Sequence, residues 1–161
     1  MDTEIIEIIK KYGNDILTST KVLEEKNYLQ HGNVSVYEHS LKVCYLAIKI
    51  SLVFNLKVDM KALVRGSLLH DFFLYDWHIP EEGRKLHAWN HASVAYKNAN
   101  KEFKLSKKEK DIILKHMFPI NISLPKYRES LIVTIADKIS AFCETIIESD
   151  HKLIELCLRQ S

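Results

Sequence analysis

The stretch that decides the fold is residues 60–71, MKALVRGSLLHD, in which an apolar run ends on an adjacent histidine and aspartate. The apolar residues recur with the 3.6-residue period of an α-helix, and Asp59 stands where a side chain can cap the first turn. His70 and Asp71 finish this run with no surface-like spacing, so the pattern predicts that both point toward the protein interior.

Helical periodicity continues on both sides of this stretch, and only four glycines and three prolines interrupt it. Ser35 with Glu38 and Ser106 with Glu109 are capping-box pairs, which start helices. We therefore predict an all-α fold of about six to eight helices in one domain, residues 1–161, with its core at about 31–147. The predicted helices are Ile5 to about Tyr28 with a break near Gly13, Val36–Phe54, about Met60 to His70, Asn90–Phe103, from Ser106 to near His116, Tyr127–Ile147, and a short one containing Leu153 and Leu158.

Composition argues against several classes of protein. The net charge is +2 with both signs mixed along the chain, which does not predict a dedicated nucleic-acid surface. The chain has neither a signal-peptide pattern at its start nor an apolar stretch long enough to span a bilayer. Cys44, Cys143 and Cys157 are widely spaced in apolar helical patterns, which favours reduced core thiols over disulfides. We expect a cytoplasmic protein that does not bind membranes.

Polar residues interrupt three helices where apolar ones are expected. His39 heads an inward stripe that continues through Val43 and Ala47, and Asp137 follows the apolar residues 131–136. Burying a lone carboxylate costs several kcal/mol unless a counter-charge or metal holds it. Each residue has an ordinary alternative: a hydrogen-bonded core histidine, a common His-Asp pair at a helix end, or an aspartate paired with Arg65 or Lys138. A divalent metal at the helix junction explains all three together.

The ordered set His39, His70-Asp71 and Asp137 resembles the HD superfamily of metal-dependent phosphohydrolases, whose name comes from the adjacent His-Asp pair. The resemblance runs from about His31 to Ile147 and implies an HD-type helical bundle. It also implies that His39, His70, Asp71 and Asp137 are the primary metal ligands.

Two further histidines are similar to those of HD branches that hold a second metal, in which the Asp of the doublet bridges the ions. His91 and His116 would take these roles, with Asp71 as the bridge. His87 competes with His91, although helical phase places His91 on the packing side with Ala95. The alternative for His116 is a helix-end residue favoured by the macrodipole. The implied cofactor is one or two divalent ions of Mn, Fe, Zn, Co or Ni.

The resemblance implies hydrolysis of a phosphomonoester, phosphodiester or phosphoanhydride bond in a nucleotide-like substrate by a metal-activated water. Asp71 would orient the nucleophile, and Lys138 and Arg65 would bind phosphate. A surface lysine and a plain ion-pair partner are the ordinary alternatives for these two cations. Other classes remain: a nucleotide-sensing HD module without turnover, and a helical interaction protein with a structural metal. The apolar terminal helices also suggest a homodimer.

Between Phe72 and His87 the periodicity stops, and an irregular segment rich in aromatics follows. Such segments often carry function. Here His78 would supply a proton to the leaving group and Trp77 would stack on a nucleobase, whereas Phe72 and Phe73 are expected to close the core. The chain lacks the Gly-Tyr-Pro motif of the cyclic-dinucleotide branch and the glycine and lysine that tend to follow its doublet, so that branch's substrate does not transfer.

Overall fold

The structure, a computed structural model, describes residues 1–31, 33–74 and 87–146. It is an all-α fold, as predicted. The described residues form seven α-helices, one 3-10 helix and one two-stranded sheet. The elements are α1 (Asp2–Leu17), α2 (Thr20–Leu23), the 3-10 helix (Glu24–Asn27), β1 (Leu29–His31), β2 (Val34–Ser35), α3 (Val36–Val53), α4 (Met60–Leu69), α5 (His87–Glu102), α6 (Lys107–Lys115) and α7 (Arg128–Ile146).

Side-chain caps confirm the predicted starts of α3, α4 and α6, whereas α1 begins at Asp2 and α5 at His87, each three residues before the predicted position. Ser35 accepts a hydrogen bond from the Glu38 amide while the Glu38 carboxylate accepts one from the Ser35 amide. The same reciprocal pair joins Ser106 and Glu109 at the start of α6. Asp59 accepts from the Ala62 amide at 3.1 Å. Each cap satisfies backbone donors that the first helical turn leaves unpaired, so these three boundaries follow from local chemistry.

The N-terminal region differs from the prediction. Helix α1 passes through Gly13 without a break and ends at Leu17. Gly13 instead allows α1 to pack closely against α4, because a Cβ there would lie 2.5 Å from Cδ1 of Leu68. His31, predicted to lie in a loop, is instead the last residue of β1, which pairs antiparallel with β2. The predicted C-terminal helix around Leu153 lies outside the described residues.

The core lies where α3 and α4 pack together and where α1, α6 and α7 close around them. Phe72 and Phe73 are fully buried just after α4, as expected. Cys44 is buried, but Cys143 is exposed, so the prediction of a core thiol is wrong there. The reason is that the neighbouring turn of α7 is also open to solvent, with Phe142 64% exposed. Among the described helices, none has the length and hydropathy that crossing a membrane requires.

Candidate metal centre

Five helices bring six of the predicted site residues to one place in the interior. His39 lies on α3 and His91 on α5, and Asp137 lies on α7. His70 and Asp71 directly follow α4, and His116 directly follows α6. All six are buried, and the most accessible of them, Asp137, is only 8% exposed. Ionisable side chains concentrated in this way need compensating charge.

The first ligand group joins His39, His70, Asp71 and Asp137, whose candidate ligand atoms all lie within 4.8 Å of one another. Nε2 of His39 is 3.1 Å from Oδ1 of Asp137 and 3.8 Å from Oδ2 of Asp71. Nε2 of His70 is 3.4 Å from Oδ2 of Asp71 and 3.7 Å from Oδ1 of Asp137. Two imidazoles and two carboxylates therefore surround one point.

The second ligand group joins Asp71 to His91 and His116. Oδ1 of Asp71 is 3.3 Å from Nε2 of each histidine, and the two Nε2 atoms are 2.9 Å apart. The two oxygens of Asp71 thus face different groups, Oδ2 the first and Oδ1 the second. This is the arrangement that a bridging carboxylate requires.

The hydrogen bonds of the histidines fit metal ligation. Nδ1 of His70 donates to the Ser67 carbonyl at 2.7 Å, and Nδ1 of His116 donates to the Ile113 carbonyl at 2.9 Å. A carbonyl can only accept, so in the neutral ring the unprotonated nitrogen is Nε2, which faces the cluster. Within the described part of the chain, Nε2 of His70 and Oδ1 of Asp71 have no hydrogen-bond partner. The bonds from Nδ1 of His70 and His116 to backbone carbonyls are of the kind that usually orients metal-binding histidines.

The electrostatics of the cluster decide the ionisation of its carboxylates. Burial raises the pKa of Asp137, but the hydrogen bond to His39 and the nearby charge of His39 and His70 outweigh it and hold that pKa below its usual range. Burial likewise opposes ionisation of Asp71, whose pKa is nevertheless held well below normal by His70 and His116. Burial lowers the pKa of His39, whereas its bonds to Asp137 and Glu144 raise it to about 10. The cluster therefore keeps its carboxylates ionised, which is the form that binds a metal ion.

Glu144 is a site residue that the sequence analysis missed. Its Oε2 is 2.8 Å from Nδ1 of His39, and its Oε1 is 3.5 Å from Nζ of Lys42. A carboxylate behind a histidine fixes the ring and increases its basicity toward a metal. A signal was present, because Glu144 follows Asp137 by seven residues and two helical turns bring it to the same face.

Gln30 is a second missed residue. Its Nε2 donates to Oδ2 of Asp71 at 2.6 Å, and its side chain is buried. No local signal in the sequence marks Gln30, because its position depends on how the short hairpin pairs and packs.

Of the residues predicted to act on the substrate, the structure describes Lys138 and Arg65, and their surroundings differ. Lys138 is half-buried and its Nζ donates to the His116 carbonyl at 3.2 Å, and burial lowers its pKa although Asp137 opposes the shift. Arg65 forms ion pairs with Asp15 at 2.7 Å and Glu109 at 2.9 Å, the ordinary alternative that the sequence left open. His78 and Trp77 lie outside the described residues. The side chain of His87 does too, whereas His91 lies within the second ligand group.

Comparison with known proteins identifies a family for this chain. The model of the HD domain family matches residues 36–141, which is well over half of the chain. No curated protein and no solved structure matches the chain at a significant level. The matched segment spans all six candidate ligands, from His39 to Asp137, but ends before Glu144 and begins after Gln30.

Proposed function

We propose that this chain, which belongs to the HD domain family, is a phosphohydrolase that requires two divalent transition metal ions. Its substrate would be a nucleotide-like molecule with a phosphomonoester, phosphodiester or phosphoanhydride bond. The observation that carries the proposal is the pair of buried ligand groups that share Asp71. A buried cluster of imidazoles and carboxylates of this composition suits Mn, Fe, Co, Ni or Zn better than Ca.

His39, His70, Asp71 and Asp137 would hold one ion, and Asp71, His91 and His116 the other. When bound, such ions lower the pKa of water and offset the negative charge of phosphoryl oxygens. Asp71 fixes the separation of the two sites, because one of its oxygens serves each group. Glu144, Ser67 and Ile113 keep the three rings that they bond in the orientation that binding needs.

The second part of the proposal concerns the substrate. Lys138 is bonded to the His116 carbonyl, so its ammonium group lies beside the second ligand group, where it would offset phosphate charge. We assign proton delivery to His78 and base stacking to Trp77, both by their place in the aromatic-rich stretch of sequence that follows the doublet.

A hydrolysis panel tests the proposal. The protein is loaded with Mn²⁺, Fe²⁺, Co²⁺, Ni²⁺ or Zn²⁺ and assayed with p-nitrophenyl phosphate, bis-p-nitrophenyl phosphate, nucleoside monophosphates, cyclic dinucleotides and dinucleoside polyphosphates. We expect turnover that a chelator abolishes and that Asp71→Asn reduces at least a thousandfold. The control is Asp15→Asn, whose carboxylate pairs with Arg65 outside the cluster. Metal-loaded protein that binds a nucleotide but turns over no substrate would contradict the enzyme and favour a sensing module.

A further inference from the structure

We infer that Gln30 is a positioning residue of the metal centre, which holds the Asp71 carboxylate in the orientation that serves both ligand groups. The inference rests on the proposed function, because it presupposes that Asp71 binds metal. Gln30 lies outside the segment that the family model matches, so the family match does not assign it a role.

The hydrogen bond between the two residues has only one possible direction. Oδ2 of an ionised Asp71 can only accept, so the group 2.6 Å away must be the amide nitrogen of Gln30. Both side chains are buried, with Gln30 6% and Asp71 1% exposed. A hydrogen bond to a charged group is shorter and stronger than a neutral one. The amide is therefore well placed to hold the carboxylate.

The orientation of Asp71 matters because its two oxygens have different tasks. Oδ2 faces His70 and His39, while Oδ1 faces His91 and His116. Rotation about the last side-chain bond of an aspartate meets only a broad, soft energy well. The imidazoles around these oxygens are themselves candidate ligands. Gln30 holds Oδ2 from outside the ligand set, so the carboxylate can be oriented before any ion binds.

The hairpin geometry explains how Gln30 reaches the cluster. Leu29 pairs with Ser35 and His31 pairs with Val34, so strand β1 has one extra residue between its pairs, and that residue is Gln30. Such a bulge bends the strand and redirects a side chain. Leu29 is 43% exposed whereas the neighbouring Gln30 is buried, so Gln30 lies on the side of the hairpin that faces the interior. Ser35 also caps α3, the helix that carries His39, so the hairpin and the first ligand are positioned together.

The oxygen of the same Gln30 amide has capacity to accept a hydrogen bond. Oε1 of Gln30 is buried and has no hydrogen-bond partner in the part of the chain that the structure describes. Buried acceptors are normally satisfied, so this oxygen can still accept a hydrogen bond from a donor outside those residues.

The test measures metal affinity separately from folding. Gln30→Met keeps the length of the side chain and removes the donor, and Gln30→Asn keeps the amide but shortens its reach. We expect both variants to bind Mn²⁺ 10- to 100-fold more weakly than the wild type in a chelator-competition titration. The thermal midpoint of the metal-free protein should stay within a few degrees. The control is Ser51→Ala, which removes a buried hydrogen bond to the Ile48 carbonyl near the far end of α3.

The outcomes separate the two claims. Unchanged Mn²⁺ affinity in both Gln30 variants would overturn the positioning role and leave the metal centre intact. Weaker binding that merely follows a loss of metal-free stability would also overturn it, since Gln30 would then be structural. A wild-type protein that binds no metal would overturn the proposed function and this inference together.

Discussion

Substitution of Gly66 by alanine tests how closely the metal centre depends on the packing of α4 against α6. A Cβ at Gly66 would lie 2.4 Å from Cδ1 of Ile112 and 3.0 Å from both its Cβ and its Cγ2. The terminal Cδ1 can rotate away, but Cβ of Ile112 can move only with its helix. Gly66→Ala should therefore push α6 away from α4, and these helices carry His116 and His70 at their ends.

Two opposing effects determine how much Gly66→Ala changes the free energy of unfolding. Replacing glycine by alanine inside a helix gains about 1 kcal/mol of helix propensity. Overpacking a filled core costs about 1 to 3 kcal/mol, and the upper part of that range applies because a backbone-linked atom is in the way. We expect a net loss of about 2 kcal/mol. For a chain of this size that corresponds to a fall of roughly 4 to 8 °C in the thermal midpoint.

Gly13→Ala is the matched control. A Cβ at Gly13 would come closest to Cδ1 of Leu68 at 2.5 Å and Cγ1 of Val64 at 3.2 Å, both ends of side chains, and would lie at an ordinary 4.0 Å from Cγ of Leu68. The clash is cheaper there and the propensity gain is the same, so we expect little net change. Thermal unfolding and Mn²⁺ titration of both variants provide the assay, and only Gly66→Ala should weaken metal binding. Equal stability and equal metal affinity in the two variants would refute the reasoning.

Three further variants test individual side chains. Burial and the charge of Asp71 raise the pKa of Glu25 well above its usual value. The unfolded chain therefore loses the Glu25 proton at a lower pH than the folded protein does, so the stability of the wild type falls as the pH rises. Glu25→Gln should therefore raise the free energy of unfolding by about 1 to 3 kcal/mol at pH 8 and by little at pH 4. Denaturant unfolding of the metal-free protein measures this, and equal gains at both pH values would count against the prediction. Glu144→Gln should lower the pKa of His39 from about 10 by removing one of its two carboxylate partners, and an unshifted imidazole titration by NMR in the metal-free protein would contradict this. Lys138→Gln should raise KM roughly tenfold, since a hydrogen bond to a charged group contributes about 1.5 kcal/mol, and an unchanged kcat/KM would remove Lys138 from the substrate site.

The sequence predicted those parts of the fold that local chemistry decides. Side-chain caps at Ser35, Asp59 and Ser106 start helices where the pattern placed them. Gly13 was misread because a glycine that ends a helix and one that admits a neighbouring helix look alike in one sequence. Only the packing of Leu68 against it distinguishes the two.

The candidate site was predictable to the extent that its residues break an apolar pattern. His39 and Asp137 stand out in this way, and the structure brings them together with the doublet. Gln30 could not be found, because its role depends on a one-residue bulge in a short hairpin. Glu144 could have been found from its spacing to Asp137. Arg65 shows why nearness to the doublet in sequence does not decide between the two roles that the sequence left open, since its guanidinium pairs with carboxylates on α1 and α6.

The most direct test of the central claim is the metal content of the purified protein, measured by plasma mass spectrometry after loading with Mn²⁺, Fe²⁺ or Zn²⁺. Asp71→Ala and His116→Ala are measured beside the wild type. We expect two ions per chain in the wild type, one in His116→Ala and almost none in Asp71→Ala, because only Asp71 belongs to both ligand groups. A wild type without metal, or an Asp71→Ala protein that keeps the full wild-type content, would contradict the shared centre.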